Sequence, residues 1–96
     1  MTDLDRDTRL QRNPGVVARP LAASEGGVLL HLESGAYHRF NPVGFATWEL
    51  LEGVQTGAQL ADALRARVVD APPELERDVL GFLQAAVDRD LVRIVA

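Results

Sequence analysis

The sequence predicts an α+β domain of winged-helix-like form, a three-stranded antiparallel sheet followed by three helices. Three short apolar runs between Val16 and Phe40 are separated by turn residues, Gly26-Gly27 and then Glu33-Ser34-Gly35. From Asn41 onward the apolar spacing changes from two to three or four, which is the period of a helix. Strands and helices are segregated along the chain rather than alternating, and segregation marks α+β architecture.

The elements follow in order. Residues 1–13 are polar, with Asp and Arg interspersed and no apolar period, so a flexible tail is expected before a domain covering residues 14–96. Val16-Val17-Ala18-Arg19-Pro20 reads as a first strand; Pro20 cannot donate to a ladder, which places the strand's end or a sheet edge there. Val28 to Leu32 is the second strand, with Val28, Leu30 and Leu32 on one face and Leu29 and His31 on the other. Gly35 supplies the positive φ of a hairpin turn, and Ala36 to Phe40 is the third strand of a meander.

Asn41-Pro42 is a helix start, since Asn is a good N-cap and Pro fits the first helical position. The first helix reaches about Glu52, burying Val43, Phe45, Trp48, Leu50 and Leu51, and Gly53 ends it. Thr56 and Gln59 have the spacing of a capping box. The second helix then turns Leu60, Ala61, Leu64 and Val68 inward, and Ala71-Pro72-Pro73 breaks it. The third helix opens at Pro73 with Glu74 and Glu76 where the dipole favours acid. Its apolar stripe is Leu75, Val79, Phe82, Leu83, Ala86 and Val87. Leu91 to Val95 alternates as a short final strand would.

Composition narrows the function. The chain has 96 residues, a net charge of −4, no Cys and no Lys. It is the size of one domain. No apolar run approaches the roughly 18 residues of a membrane span, and the N-terminus lacks a secretory signal. A cytoplasmic protein without disulfides or thiolate metal sites is expected. A nucleic-acid reader needs a concentrated positive face. The third helix instead carries Glu74, Glu76, Asp78, Asp88 and Asp90 against Arg77 and Arg89, and Gln84 is its one amide. This argues against a winged-helix DNA-binding protein, which stands as an alternative.

Catalytic parts are scarce. His31 and His38 are the two histidines, on adjacent strands, and two ligands without companion carboxylates read as ordinary strand residues rather than a metal site. Ser24 and Ser34 fall in turns without the elbow of a nucleophile. The glycines are scattered and make no phosphate loop. Glu49 and Glu52 lie on a solvated helix face without an enclosing cleft. No catalytic residue, cofactor site or metal site is expected.

One physical feature remains. In a meander the third strand has a single partner, so its other side offers unpaired N–H and C=O groups. If the third helix lies beside that edge, the two form a cleft in which a peptide can add as a fourth strand. The edge can equally be solvated, or covered by the tail or by Leu91–Val95.

The run Tyr37-His38-Arg39-Phe40-Asn41-Pro42-Val43-Gly44, followed by Trp48-Glu49-Leu50-Leu51-Glu52-Gly53, resembles the core signature of PqqD-like proteins. Gln59-Leu60-Ala61, Val79 with Phe82-Leu83, and Leu91-Val92 continue the likeness, which covers roughly residues 15–95. One departure is Asp90, where such proteins often carry Gly before the final Leu-Val; Asp tolerates the left-handed conformation better than most residues.

The resemblance implies a RiPP recognition element, a stand-alone peptide chaperone that captures the leader peptide of a ribosomally made precursor. The leader would add as an antiparallel strand to the third strand and pack on the third helix. The candidate peptide-binding residues are Ala36, Tyr37, His38, Arg39 and Phe40 on the strand. On the helix they are Asp78 and Gln84 at the rim, with Leu80, Leu83 and Val87 for apolar anchors; Leu83 and Val87 also satisfy the core stripe. The implied partners are the leader peptide, a leader peptidase and a ring-forming cyclase of lasso peptide biosynthesis. The alternative is the peptide chaperone of pyrroloquinoline quinone biosynthesis.

Overall fold

The structure is a computed structural model and describes residues 4–22, 25–68 and 70–95. Its elements are β1 (Arg9–Arg12), β2 (Val16–Pro20), β3 (Gly27–His31), β4 (Tyr37–Phe40), α1 (Pro42–Leu50), β5 (Gln55–Thr56), α2 (Gly57–Arg67), α3 (Leu75–Asp88) and β6 (Val92–Ile94). They build an α+β fold with two three-stranded antiparallel sheets, ordered β2-β3-β4 and β5-β1-β6.

The meander matches its sequence pattern closely. Leu29 and His31 are the buried face of β3, while Leu32 lies exposed in the following turn. Gly27 lets β3 approach α1, since a Cβ there would collide with the Phe45 ring. Asn41 caps α1 through its side-chain oxygen, which accepts from the Gly44 N–H at 2.8 Å. The reciprocal box of Thr56 and Gln59 forms at the start of α2. Leu29, Phe45, Trp48, Leu51, Leu60, Leu64, Val79, Phe82 and Leu83 meet in one core between the meander and the helices.

Three expectations change. The stretch read as a flexible tail up to residue 13 includes a structured strand: β1 is the middle strand of its sheet, pairing Leu10 with both Gln55 and Ile94, and Leu10 is fully buried. A single apolar residue among Arg and Gln carries no period, yet two partner strands satisfy its backbone. Ahead of it, Arg6 bonds Glu76 at 3.1 Å and Leu4 N–H donates to Gln84 Oε1, so this segment lies along α3. The Arg6 guanidinium is held more firmly protonated by the Glu76 hydrogen bond and charge. Second, Val68 follows the end of α2 and is 41% exposed rather than core. Third, α3 begins at Leu75, after a turn in which Leu75 N–H donates to the Pro72 carbonyl. Residues 1–3 of the expected tail, and Ser24 of the expected turn, lie outside the described residues.

Candidate functional site

β4 is an edge. Among the described residues it pairs with β3 alone. Its outward groups follow from the ladder. His31 N–H donates to the Ala36 carbonyl at 2.8 Å, and Leu29 stands opposite His38 and Gly27 opposite Phe40. Antiparallel pairs alternate between bonded and non-bonded. Ala36 therefore spends its carbonyl, and His38 and Phe40 their backbone groups, on β3, while the Ala36 N–H donates to Ser34 Oγ and the groups of Tyr37 and Arg39 point to the open side. The other edge of β3 agrees, since Leu32 N–H bonds the Gly15 carbonyl and Leu21 N–H bonds the Gly26 carbonyl, leaving residues 27, 29 and 31 for β4.

Beside the edge lies an open cleft of about 460 Å³. Arg39, Phe40, Asn41 and Val43 form one wall, and Arg77, Asp78, Gly81, Phe82 and Ala85 of α3 form the other. Phe40 and Phe82 join the walls at depth in an edge-to-face contact, with centroids 4.9 Å apart and planes at 86°. Gly81 is exposed, and a Cβ there would meet nothing within 4 Å. The cleft is therefore apolar at its base, where Phe40, Val43, Phe82 and Ala85 gather, and charged at its mouth. Arg39 reaches Glu25 at 3.6 Å with both side chains more than half exposed, a pairing worth at most about 1 kcal/mol. The side chains of Arg77 and Asp78 have no hydrogen-bond or ion-pair partner among the described residues, so both are free to meet a ligand.

The structure brings together some of the residues read from sequence and separates others. Arg39, Phe40 and Asp78 line the cleft. Ala36 and Tyr37 lie at the strand's start, Tyr37 72% exposed, and His38 faces the core side beside Leu29. Leu80, Leu83, Gln84 and Val87 are elsewhere. Leu83 is fully buried in the core. Leu80 packs where a Cβ on Gly57 would touch it, toward α2. Gln84 bonds Leu4 and Asp88, and Val87 rests partly buried against the core. At about 100° per residue, positions 77, 78, 81 and 85 form one flank of α3, and 80, 84 and 87 the other. The apolar stripe fixed which face is buried, but either flank could have met β4.

Arg77, Gly81, Phe82 and Ala85 were therefore not read as cleft residues. The available signal was Gly81. Glycine inside a helix costs about 1 kcal/mol relative to alanine, and such a residue marks a place where another backbone can come close.

Among the described residues no group of three or more His, Cys, Asp or Glu is placed to hold a metal ion. His31 is a buried strand residue bonded to Asp90 and Ser34. Asp90 is left-handed at φ 57°, as expected of the residue that replaces glycine. Its carboxyl is held below the ordinary carboxylate range by the His31 hydrogen bond and then by Arg93. Among the described residues no helix is long and apolar enough to cross a membrane.

Comparison with known proteins gives a consistent set. The family model described as Coenzyme PQQ synthesis protein D (PqqD) matches residues 26–92. TbiB1, solved in complex with the TbiA(beta) leader peptide, is 33% identical over 90% of this chain and 98% of that chain, with a TM-score of 0.70. The PqqD truncation of Methylobacterium extorquens PqqCD, described as a functional and stand-alone RiPP recognition element, is 21% identical over 94% of each chain, with a TM-score of 0.74. Lasso peptide synthetase B1, complexed with the leader peptide, is 21% identical over 88% of this chain and 96% of that chain, with a TM-score of 0.64. At 21% identity the last two show likeness of fold. No curated protein matches the chain.

Proposed function

The chain belongs to the PqqD family, and from that premise we propose that it is a non-catalytic recognition element that binds a leader peptide by β-strand addition. The observation that carries the reading is the open edge of β4 beside the cleft of α3. A guest strand meets the N–H and C=O of Tyr37 and Arg39, and each such bond adds about 0.5–1.5 kcal/mol net. These bonds are nearly blind to sequence. Selection comes from the cleft, where an apolar side chain buried on Phe40, Phe82 and Ala85 contributes about 1.5–3 kcal/mol. Asp78, Arg77 and Arg39 select polar neighbours at the mouth, and Ala36 extends the contact at the start of the strand. The three helices and this edge make a winged-helix-like frame whose binding element is the strand.

The protein then acts as a tether. It holds the leader while the attached core peptide reaches a leader peptidase and a cyclase, raising their effective concentration without chemistry of its own. The pathway proposed is lasso peptide biosynthesis in the cytoplasm. The 33% identity to TbiB1, solved in complex with a leader peptide, supports the leader-binding role, and pyrroloquinoline quinone assembly is the alternative pathway.

The test is a titration of the full chain, without any enzyme, into a fluorescein-labelled peptide spanning the N-terminal half of the precursor encoded beside its gene. Micromolar or tighter binding that changes little with salt is expected. No binding up to high micromolar overturns the reading. Binding to duplex DNA that falls steeply with salt would replace it with the DNA-binding alternative.

A further inference from the structure

The ladder fixes side chains as well as backbone groups. Gly27, Leu29 and His31 are the buried residues of β3, so Val28 and Leu30 lie on the opposite, outer face of the meander. Directly opposed residues of an antiparallel pair share a face. Arg19, Val28 and Arg39 therefore form one row across the outer face, and Val17, Leu30 and Tyr37 form the next. The two rows differ in charge. The first has an exposed Arg on each side of a half-buried Val, and the second has no charge at all.

Arg39 ends its row at the open edge. Its side chain is 63% exposed, and Glu25, itself 52% exposed, reaches only its Nη2 at 3.6 Å. A guanidinium is a fork of several donors, so room remains on it for a second carboxylate. Arg19 has no hydrogen-bond or ion-pair partner among the described residues. Two positive charges therefore stand here against one negative. The α3 side of the cleft has no such bias, since Arg77 and Asp78 are neighbours of opposite sign.

Strand addition assigns this charge to one guest position. The backbone groups of Arg39 point outward, so one guest residue exchanges both bonds with Arg39 and stands directly opposite it. That residue's side chain rises on the outer face, beside the Arg39 side chain and away from α3. The guest residues before and after it stand opposite His38 and Phe40 and turn into the cleft.

We infer that Arg39 is a specificity-determining residue that takes an aspartate or glutamate of the guest, at the one position opposed to it across the new strand pair. The inference rests on the strand-addition reading and gives the ligand a chemical class: an extended segment with an acidic residue whose two neighbours enter the cleft. Glu25 competes for the same guanidinium. The next outward guest position, two residues away, stands opposite Tyr37 and meets an uncharged row.

The experiment varies the labelled precursor peptide one carboxylate at a time, replacing each Asp by Asn and each Glu by Gln. Each peptide is titrated into the full native chain and into Arg39→Ala, Arg39→Glu and Glu25→Gln. These side chains are exposed and the strand's backbone bonds are untouched. Expected is one carboxylate whose neutralisation weakens binding to the native chain about two- to fivefold, the worth of one cross-strand charge pair, and leaves binding to Arg39→Ala unchanged. Lysine at that peptide position should bind Arg39→Glu more tightly than the native chain. Glu25→Gln should tighten the unaltered peptide by up to about fivefold. Peptide binding in which no carboxylate couples to Arg39, or equal affinity of the lysine peptide for the native chain and Arg39→Glu, overturns the inference and leaves strand addition standing. Absence of binding by every peptide to every chain overturns both.

Discussion

Phe40 meets Phe82 edge-on at 4.9 Å, and this contact holds the free strand against the long helix. One ring belongs to the last residue of β4 and the other to the middle of α3, so the base of the cleft is also part of the core. Removing either ring should cost stability and binding together. Phe82→Ala is expected to lower unfolding stability by about 3–5 kcal/mol. A double-mutant cycle with Phe40→Ala should return a coupling of about 0.5–1.5 kcal/mol. Urea unfolding of the four proteins measures both, and a coupling of zero would show that the rings pack independently.

Backbone direction predicts a contrast between neighbouring positions. Proline at Tyr37 or Arg39 removes an N–H that faces the open side and leaves the β3 ladder whole. Proline at His38 removes an N–H that bonds β3. Tyr37→Pro should therefore keep most of the melting temperature and weaken the leader peptide by up to about tenfold. His38→Pro should unfold the meander instead. Thermal melts with fluorescence anisotropy separate the two outcomes.

Gly81 offers a block that spares the fold. Its absent Cβ would point into open space, so Gly81→Ala should stabilise α3 by up to about 1 kcal/mol. Gly81→Leu should leave the free protein folded and fill the space a guest strand needs. Loss of peptide binding with an unchanged melting temperature is the expected result; unimpaired binding would place the guest elsewhere.

Acid stability should report Asp90. Its carboxyl titrates below the ordinary 3.8 in the folded chain because His31 and Arg93 bond its charged form. The contribution is complete above the unfolded value and disappears as pH falls through the lower folded value. Asp90→Asn should remove this part of the acid slope, and the two proteins should converge at the lowest pH. Urea midpoints taken from neutral pH downward test it; parallel curves would show that Asp90 is not coupled to folding.

The sequence exposed most of the fold because its signals are local. Asn41-Pro42 announces α1, Thr56 with Gln59 announces α2, and Gly26-Gly27 and Gly35 divide the meander. Asp90 was legible as a left-handed residue, though its bond to His31 was not, because those two residues are far apart in the chain. β1 was illegible for the same reason. Leu10 is its single apolar residue, and its structure is imposed by partners at residues 55–56 and 92–94. The cleft was half legible. The third strand and Asp78 were found, but the choice between the flanks of α3 depends on where β4 lies, and helical period alone does not contain that.

The place of β1 also sets an order of events during synthesis. Its neighbours are β5 and β6, and β6 is translated more than seventy residues later. Until residues 92–94 leave the ribosome, Leu10 has no complete slot to enter and one side of its strand stays unpaired. Pairing across such a separation is slow compared with local helix formation. The nascent chain will therefore carry a finished meander and its first two helices while this second sheet waits open, and chaperones that protect exposed strands have that interval in which to act.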